Sequence, residues 1–190
     1  MANRTQIVCL HEGTKGSSID PIFIRALIQA LAPPWIRPFQ GSNIVRLVNC
    51  GGRTEVIRKL PSELRACLAT GGLTTLMVWA DMDDDIVNGE DLKRKFWSEA
   101  QRQGIGEAEF AQVVFAFAKD RIENWIEFLA TGYTDEGQEG PRVKHNTEVV
   151  EAAKTLARRC KQQQSNPPLP SSLEWSCRNW RALVDRMKVQ

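Results

Sequence analysis

The stretch Leu73-Thr74-Thr75-Leu76-Met77-Val78-Trp79-Ala80-Asp81-Met82-Asp83-Asp84-Asp85 decides the fold. It opens as the most apolar run of the chain and stops abruptly at a cluster of aspartates. A short continuous apolar run preceded by Gly71-Gly72 reads as a strand buried on both faces. Three more runs share its character. Gln6 to Leu10 ends in His11-Glu12-Gly13, Ile44 to Val48 breaks at Gly51-Gly52, and Gln112 to Ala118 leads into Lys119-Asp120. The segments between them repeat with helical spacing. Asp20-Pro21 supplies an N-cap and a first-turn proline for Ile22, Ile24, Leu27, Ile28 and Leu31, until Pro33-Pro34 ends the helix. A second helix is expected over Thr54 to Thr70, divided or restarted at Pro61, and a third over Gly89 to Gln103 with Phe96 and Trp97 inward. The order βαβαβαβ predicts an α/β fold, because parallel neighbours need helical crossovers: a parallel sheet of about four strands flanked by helices.

Beyond the last strand, Arg121 to Leu129 places Ile122, Trp125, Ile126 and Leu129 on one helical face. The glycine-rich polar stretch Thr131 to Gly140 is expected to be a mobile loop. Two further helices, about Thr147 to Gln163 and Leu173 to Met187, form a C-terminal helical extension. Residues 1–140 thus read as the main domain and 141–190 as a basic extension packed on it. Trp175 and Trp180 either pack that extension onto the body or stack bases.

Composition narrows the class. With 190 residues, 42% hydrophobic and 25% charged, the chain is a folded domain rather than a disordered segment or a rod. No stretch reaches the roughly 18 apolar residues of a membrane span, and Arg4 and Glu12 come too early for a secretory signal, so a cytoplasmic protein without a membrane partner is expected. Five scattered cysteines with no C-x-x-C pair argue against a disulfide framework or zinc knuckle and are expected to pack as small apolar residues. Charge is uneven. Residues 141–190 hold 10 Lys/Arg against 4 Asp/Glu, while residues 1–140 are net acidic. A basic tail suits either a polyanionic partner or a solvated helical face.

Ligands in open parallel sheets bind beyond the carboxyl ends of the strands. Three sets of acids fall there: Glu12 after the first strand, Asp81, Asp83, Asp84 and Asp85 after the third, and Asp120 with Glu123 after the fourth. In extended chain, residues two apart point the same way, so Asp81 and Asp83 reach one ion while Met82 turns inward. Converging carboxylates need a cation, and hard oxygen donors suit Mg²⁺ or Mn²⁺. The alternative is a solvated turn, with Asp84 and Asp85 capping the next helix. His11 is expected to be a structural or surface histidine rather than a ligand, because a Mg²⁺ site prefers oxygen.

Glu12-Gly13 after strand one and Asp81-Met82-Asp83 after strand three resemble the Toprim domain over about residues 5 to 130. That domain is found in nucleases of the overcoming-lysogenization-defect type, and the segment from Phe117 to Ile126, with Ile122-Glu123-Asn124-Trp125, is similar to small stand-alone Toprim-like proteins of bacterial defence loci. The resemblance implies a Toprim-like fold in which Glu12 acts as general acid or base, or as a ligand, and Asp81 and Asp83 hold the metal, with Asp85 and Glu123 as further candidates. The loop Thr14 to Asp20 departs from the family's short connection, leaving open how near Lys15 and Asp20 come to the metal.

Missing parts narrow the reaction. Tyr133 is the lone tyrosine and sits in a glycine-flanked loop, which disfavours a topoisomerase; a primase would bring a zinc-binding domain and a larger core. Metal-assisted phosphodiester hydrolysis of DNA or RNA remains, with Lys144 a candidate to neutralise charge on the scissile phosphate. Relatives of this kind work beside an ATPase, so the resemblance implies an effector subunit of antiviral defence. The rival expectation is a non-catalytic subunit that docks an ATPase partner.

Overall fold

A computed structural model describes residues 6–13, 18–31, 45–70, 74–164 and 166–188. The expected Pro33-Pro34 stop, the Gly71-Gly72 break, Ile44, Leu73 and Lys15 lie outside these residues. β1 (Gln6–His11), β2 (Val45–Asn49), β3 (Thr74–Met82) and β4 (Val114–Lys119) form one all-parallel sheet in the order β2-β1-β3-β4. The order reverses between β1 and β3, so the crevice expected of such a sheet opens at their carboxyl ends.

Strict alternation divides the core. Ile7, Cys9, Met77, Trp79, Val114 and Ala116 face one layer, built with α1 (Asp20–Leu31). Val8, Leu10, Leu76, Val78, Phe115 and Phe117 face the other, under α2 (Arg53–Ala69) and α3 (Gly89–Arg102). The period of two thus fills both faces. Trp79 is the pivot of the first layer. Its ring lies 5.8 Å from Phe23 of α1, 5.5 Å from Trp125 of α5 (Ile122–Thr131) and 5.8 Å from Trp180 of α7 (Ser171–Lys188), the last pair stacked.

Two expectations are corrected and one element is added. α2 runs unbroken through Pro61. Val56, Leu60, Leu64 and Cys67 on the same face are buried against the sheet, and that packing outweighs the local loss of one helical hydrogen bond. A short helix, α4 (Glu107–Phe110), precedes β4, held by the Glu109 carboxylate on the Gly106 N–H. The segment from Thr131 to Gly140 is anchored rather than mobile. Asn124 Nδ2 donates to Gln138 O at 3.0 Å, Arg121 pairs with Glu139, and the Glu136 carboxylate accepts from the Ser171 and Ser172 hydroxyls and the Ser172 N–H at the start of α7.

The C-terminal helices complete the first core layer. α6 (Asn146–Gln162) places Val149, Ala153 and Leu156 against α1 and α5. α7 lies along the outer edge of β4, where the Phe117 N–H donates to Ser176 Oγ at 2.9 Å and the Ser176 hydroxyl donates to Phe117 O at 3.2 Å. One serine thereby satisfies an edge residue's donor and acceptor, sealing a strand that would otherwise expose unpaired backbone. Both indoles of α7 serve packing: Trp180 is buried, and Trp175 stacks on Phe117 at 5.0 Å and closes over Gly89, where a Cβ would come within 2.4 Å of its ring. No helix among the described residues is long and apolar enough to cross a membrane.

Ser176→Ala leaves a buried N–H and C=O unpaired and is expected to lower stability by about 2 kcal/mol, read from urea unfolding. A change below about 0.5 kcal/mol would show that the edge of β4 finds its partners elsewhere.

Candidate functional site

The register of β1 against β3 ends at His11 opposite Trp79, which sets Glu12 level with Ala80, one step past the ladder and next to Asp81. There the Glu12 side chain replaces a backbone acceptor: the Asp81 N–H donates to Glu12 Oε1 at 2.9 Å. Met77 and Trp79 face the first core layer, so Asp81 points to the same side, toward the N-termini of α1 and α5. Asp20 opens α1 and Glu123 lies in the first turn of α5. Met82 turns into the second layer as expected.

The electrostatics of this corner follow from burial. Asp81 is pushed well above the usual carboxylate range, first by burial and then by the charges of Asp20, Glu12, Asp83 and Glu123. Burial likewise carries Glu12 from its ordinary 4.5 up to about 7, opposed by the Asp81 N–H and reinforced by Asp83. Asp20 is raised by burial and by Glu123, against a hydrogen bond from Ser18. The structure therefore brings Glu12, Asp20, Asp81, Asp83 and Glu123 into one interacting acidic group at the crevice. Among the described residues, no three His, Cys, Asp or Glu side chains are arranged, as they stand, to hold a metal ion.

One reason is a guanidinium. Arg53, following Gly51-Gly52 at the start of α2, pairs with Asp83 at 3.1 Å and with Asp85 at 2.9 Å. Lys95 of α3 takes the other Asp85 oxygen at 2.9 Å. These two cations hold the Asp85 carboxyl below its usual range and draw it outward, away from the group around Asp81. α3 is capped by Asn88, whose side chain accepts the Asp91 N–H at 3.0 Å, so Asp84 and Asp85 are not its caps. From the neighbouring strand, Lys119 Nζ donates to Asp83 O at 3.2 Å and Ile86 O at 3.0 Å, bracing the aspartate turn from below. Asp120 follows with φ of 60°, a left-handed conformation that strains a non-glycine residue, and donates its N–H to Met82 O.

Glu123 also borders a groove of about 640 Å³ between α5 and α6, whose wall carries Arg142 and Lys144. Lys144 is exposed there. Glu127, one turn along α5, accepts from Thr134 Oγ1 at 2.8 Å and so ties down the anchored loop. The same loop brings Gly140 onto the start of α5, where a Cβ would lie 2.5 Å from Asn124 Oδ1 and 2.7 Å from the Asn124 backbone nitrogen. His11 is buried, and burial favours its neutral form.

Sequence reasoning treated Asp20 as a helix cap of unknown distance and passed over Arg53. Each follows a strand and opens a helix at the same rim, the placement that singled out Glu12 and Glu123. No protein-family model, curated protein or solved structure matches the chain.

Two outcomes follow from this geometry. A carboxyl whose native pKa exceeds its unfolded value binds its proton more tightly when folded, so Glu12 stabilises at low pH and this contribution is lost as pH rises from about 4.5 to about 7. The melting temperature of metal-free protein is thus expected to fall between pH 5 and pH 8, and Glu12→Gln, which keeps an oxygen for the Asp81 N–H, is expected to flatten that slope. Parallel slopes would contradict the burial of Glu12. Gly140→Ala is expected to destabilise by about 1–3 kcal/mol in urea unfolding, because the added methyl meets backbone.

Proposed function

We propose that the chain is a divalent-metal-dependent nuclease hydrolysing phosphodiester bonds of DNA or RNA, a Toprim-like enzyme using Mg²⁺ or Mn²⁺. The observation that carries this reading is the meeting of Glu12 and Asp81, two half-buried acids at the ends of adjacent parallel strands, where the Asp81 N–H donates to the Glu12 carboxylate at 2.9 Å, with Asp20 acting on both and Glu123 on Asp81. Acids crowded where water is scarce are stable as anions only beside a cation. The donors are all carboxylate oxygens, which fits a hard divalent ion. Asp81, Asp20 and Glu123 would hold it, with Asp83 joining when its side chain rotates away from Arg53.

When bound, such an ion supplies an activated water and neutralises phosphate charge. The chain's own groups do the rest. Glu12, with its pKa near 7, is suited to taking or returning a proton at neutral pH. Arg53, released from Asp83, and Lys144 on the groove beside Glu123 offer positive charge to the phosphate backbone. Service as the effector of an antiviral system beside an ATPase subunit rests on the resemblance of Glu12-Gly13, Asp81-Met82-Asp83 and the segment around Glu123. The second reading, a non-catalytic subunit that docks an ATPase, is favoured by the pairing of Asp83 and Asp85 with Arg53 and Lys95.

Cleavage of plasmid DNA and tRNA with Mg²⁺ or Mn²⁺ separates the two. Glu12→Gln and Asp81→Asn are each expected to lose at least about 100-fold in rate while keeping the wild-type circular dichroism. Calorimetry is expected to show a Mn²⁺ site that Asp81→Asn removes. Wild-type cleavage no faster than that of the variants, with no Mn²⁺ bound, would overturn the nuclease in favour of the docking subunit.

A further inference from the structure

The sulfurs of Cys160 on α6 and Cys177 on α7 lie 3.4 Å apart, unbonded, at the partly exposed seam between the two C-terminal helices. Cys9, Cys50 and Cys67 are instead buried, as small apolar residues should be. We propose that Cys160 and Cys177 are an oxidisable dithiol, converted by hydrogen peroxide into an intrachain disulfide that pins α7 to α6.

Distance, polarity and access all favour this pair. At 3.4 Å the two sulfurs are already in van der Waals contact, and a disulfide brings them to roughly 2.05 Å. The hydrogen bond shared with Cys177, aided by the charges of Arg159 and Arg181, lowers the Cys160 thiol, whereas the same bond and burial raise Cys177. Cys160 is accordingly the attacking sulfur and Cys177 the resolving one. The Cys160 thiolate attacks one peroxide oxygen, the O–O bond breaks, and the departing hydroxide takes a proton to leave as water. Cys177 sulfur then attacks the resulting sulfenic acid at sulfur, the S–O bond breaks, and a second water leaves with the Cys177 proton. Two thiols and one peroxide give one disulfide and two waters. The bridge would fix α7 next to Ser176, the residue that seals β4.

The experiment uses the full chain, reduced, exposed to a small excess of hydrogen peroxide and then, in denaturant so that the buried thiols react as well, to N-ethylmaleimide. Intact mass is expected to show three of the five cysteines alkylated, and peptide mapping a Cys160–Cys177 link that dithiothreitol reverses. The oxidised form is expected to melt about 5 °C higher. Cys160→Ser and Cys177→Ser are each expected to abolish the link. Five alkylated cysteines after peroxide, oxygen additions at either sulfur without a link, or links between chains would overturn the proposal. Should a serine variant fail to fold, the wild-type peptide map decides alone.

Discussion

The hydrogen bond from the Asp81 N–H to the Glu12 carboxylate is the constraint around which the rim is built. It exists because β1 and β3 are parallel neighbours in register, and because the sheet order reverses between them. A sheet that inserted another strand there would part the two acids by a strand spacing of about 4.8 Å or more. With them adjacent, every further acid at this corner raises the electrostatic strain. Asp20 and Glu123 do so from α1 and α5. The turn after Met82 must then be held by something other than its own side chains. Lys119 does this through the Asp83 and Ile86 carbonyls, and Arg53 through Asp83 and Asp85.

The floor of the site is aromatic. Trp79 precedes Asp81 by two residues on the same side of β3, and its contacts with Phe23, Trp125 and Trp180 fill the space below the carboxylate. Core packing and site chemistry are therefore one arrangement. The rings that fix α1, α5 and α7 against the sheet also exclude water from beneath Asp81, which is why burial is the largest influence on its protonation. α7 contributes twice, through Trp180 in this cluster and through Ser176 on the free edge of β4.

Much of this was legible in the sequence because period and punctuation act locally. The four strands, the helix opening at Asp20-Pro21 and the inward Met82 follow from alternation, capping and pleat alone. The pairing of Glu12 with Asp81 follows from where acids sit relative to strand ends. What was not legible depends on contacts distant in sequence. Pro61 is carried by the buried face of α2, and the segment from Thr131 to Gly140 looks mobile by composition yet is tied by Asn124, Arg121 and the serines of α7. The outward turn of Asp85 depends on Arg53, 32 residues before it. The meeting of Cys160 with Cys177 depends on how two helices pack, which neither helix encodes by itself.

On the proposed reading a divalent ion would compete with Arg53 for the aspartates, and solvent exposure sets the terms of that competition. Arg53 pairs with Asp83 and Asp85 where their side chains are 60% and 49% exposed. Exposed pairs of this kind contribute about 0–1 kcal/mol, so giving one up costs little. Asp81 and Glu12 are in the opposite position: largely withdrawn from water, with like charges around them and, among the described residues, no cationic side chain hydrogen-bonded to their carboxylate oxygens, Arg53 reaching only the Asp81 backbone carbonyl at 3.5 Å. A cation reaching them relieves repulsion and desolvation together, and both grow as the local dielectric falls. On the proposed reading this balance would favour an ion at Asp81 over the guanidinium at Asp83 and would leave Arg53 at the rim, where a phosphate would approach. Arg53 acts as the internal counter-ion of the aspartate turn, through two solvent-exposed pairs.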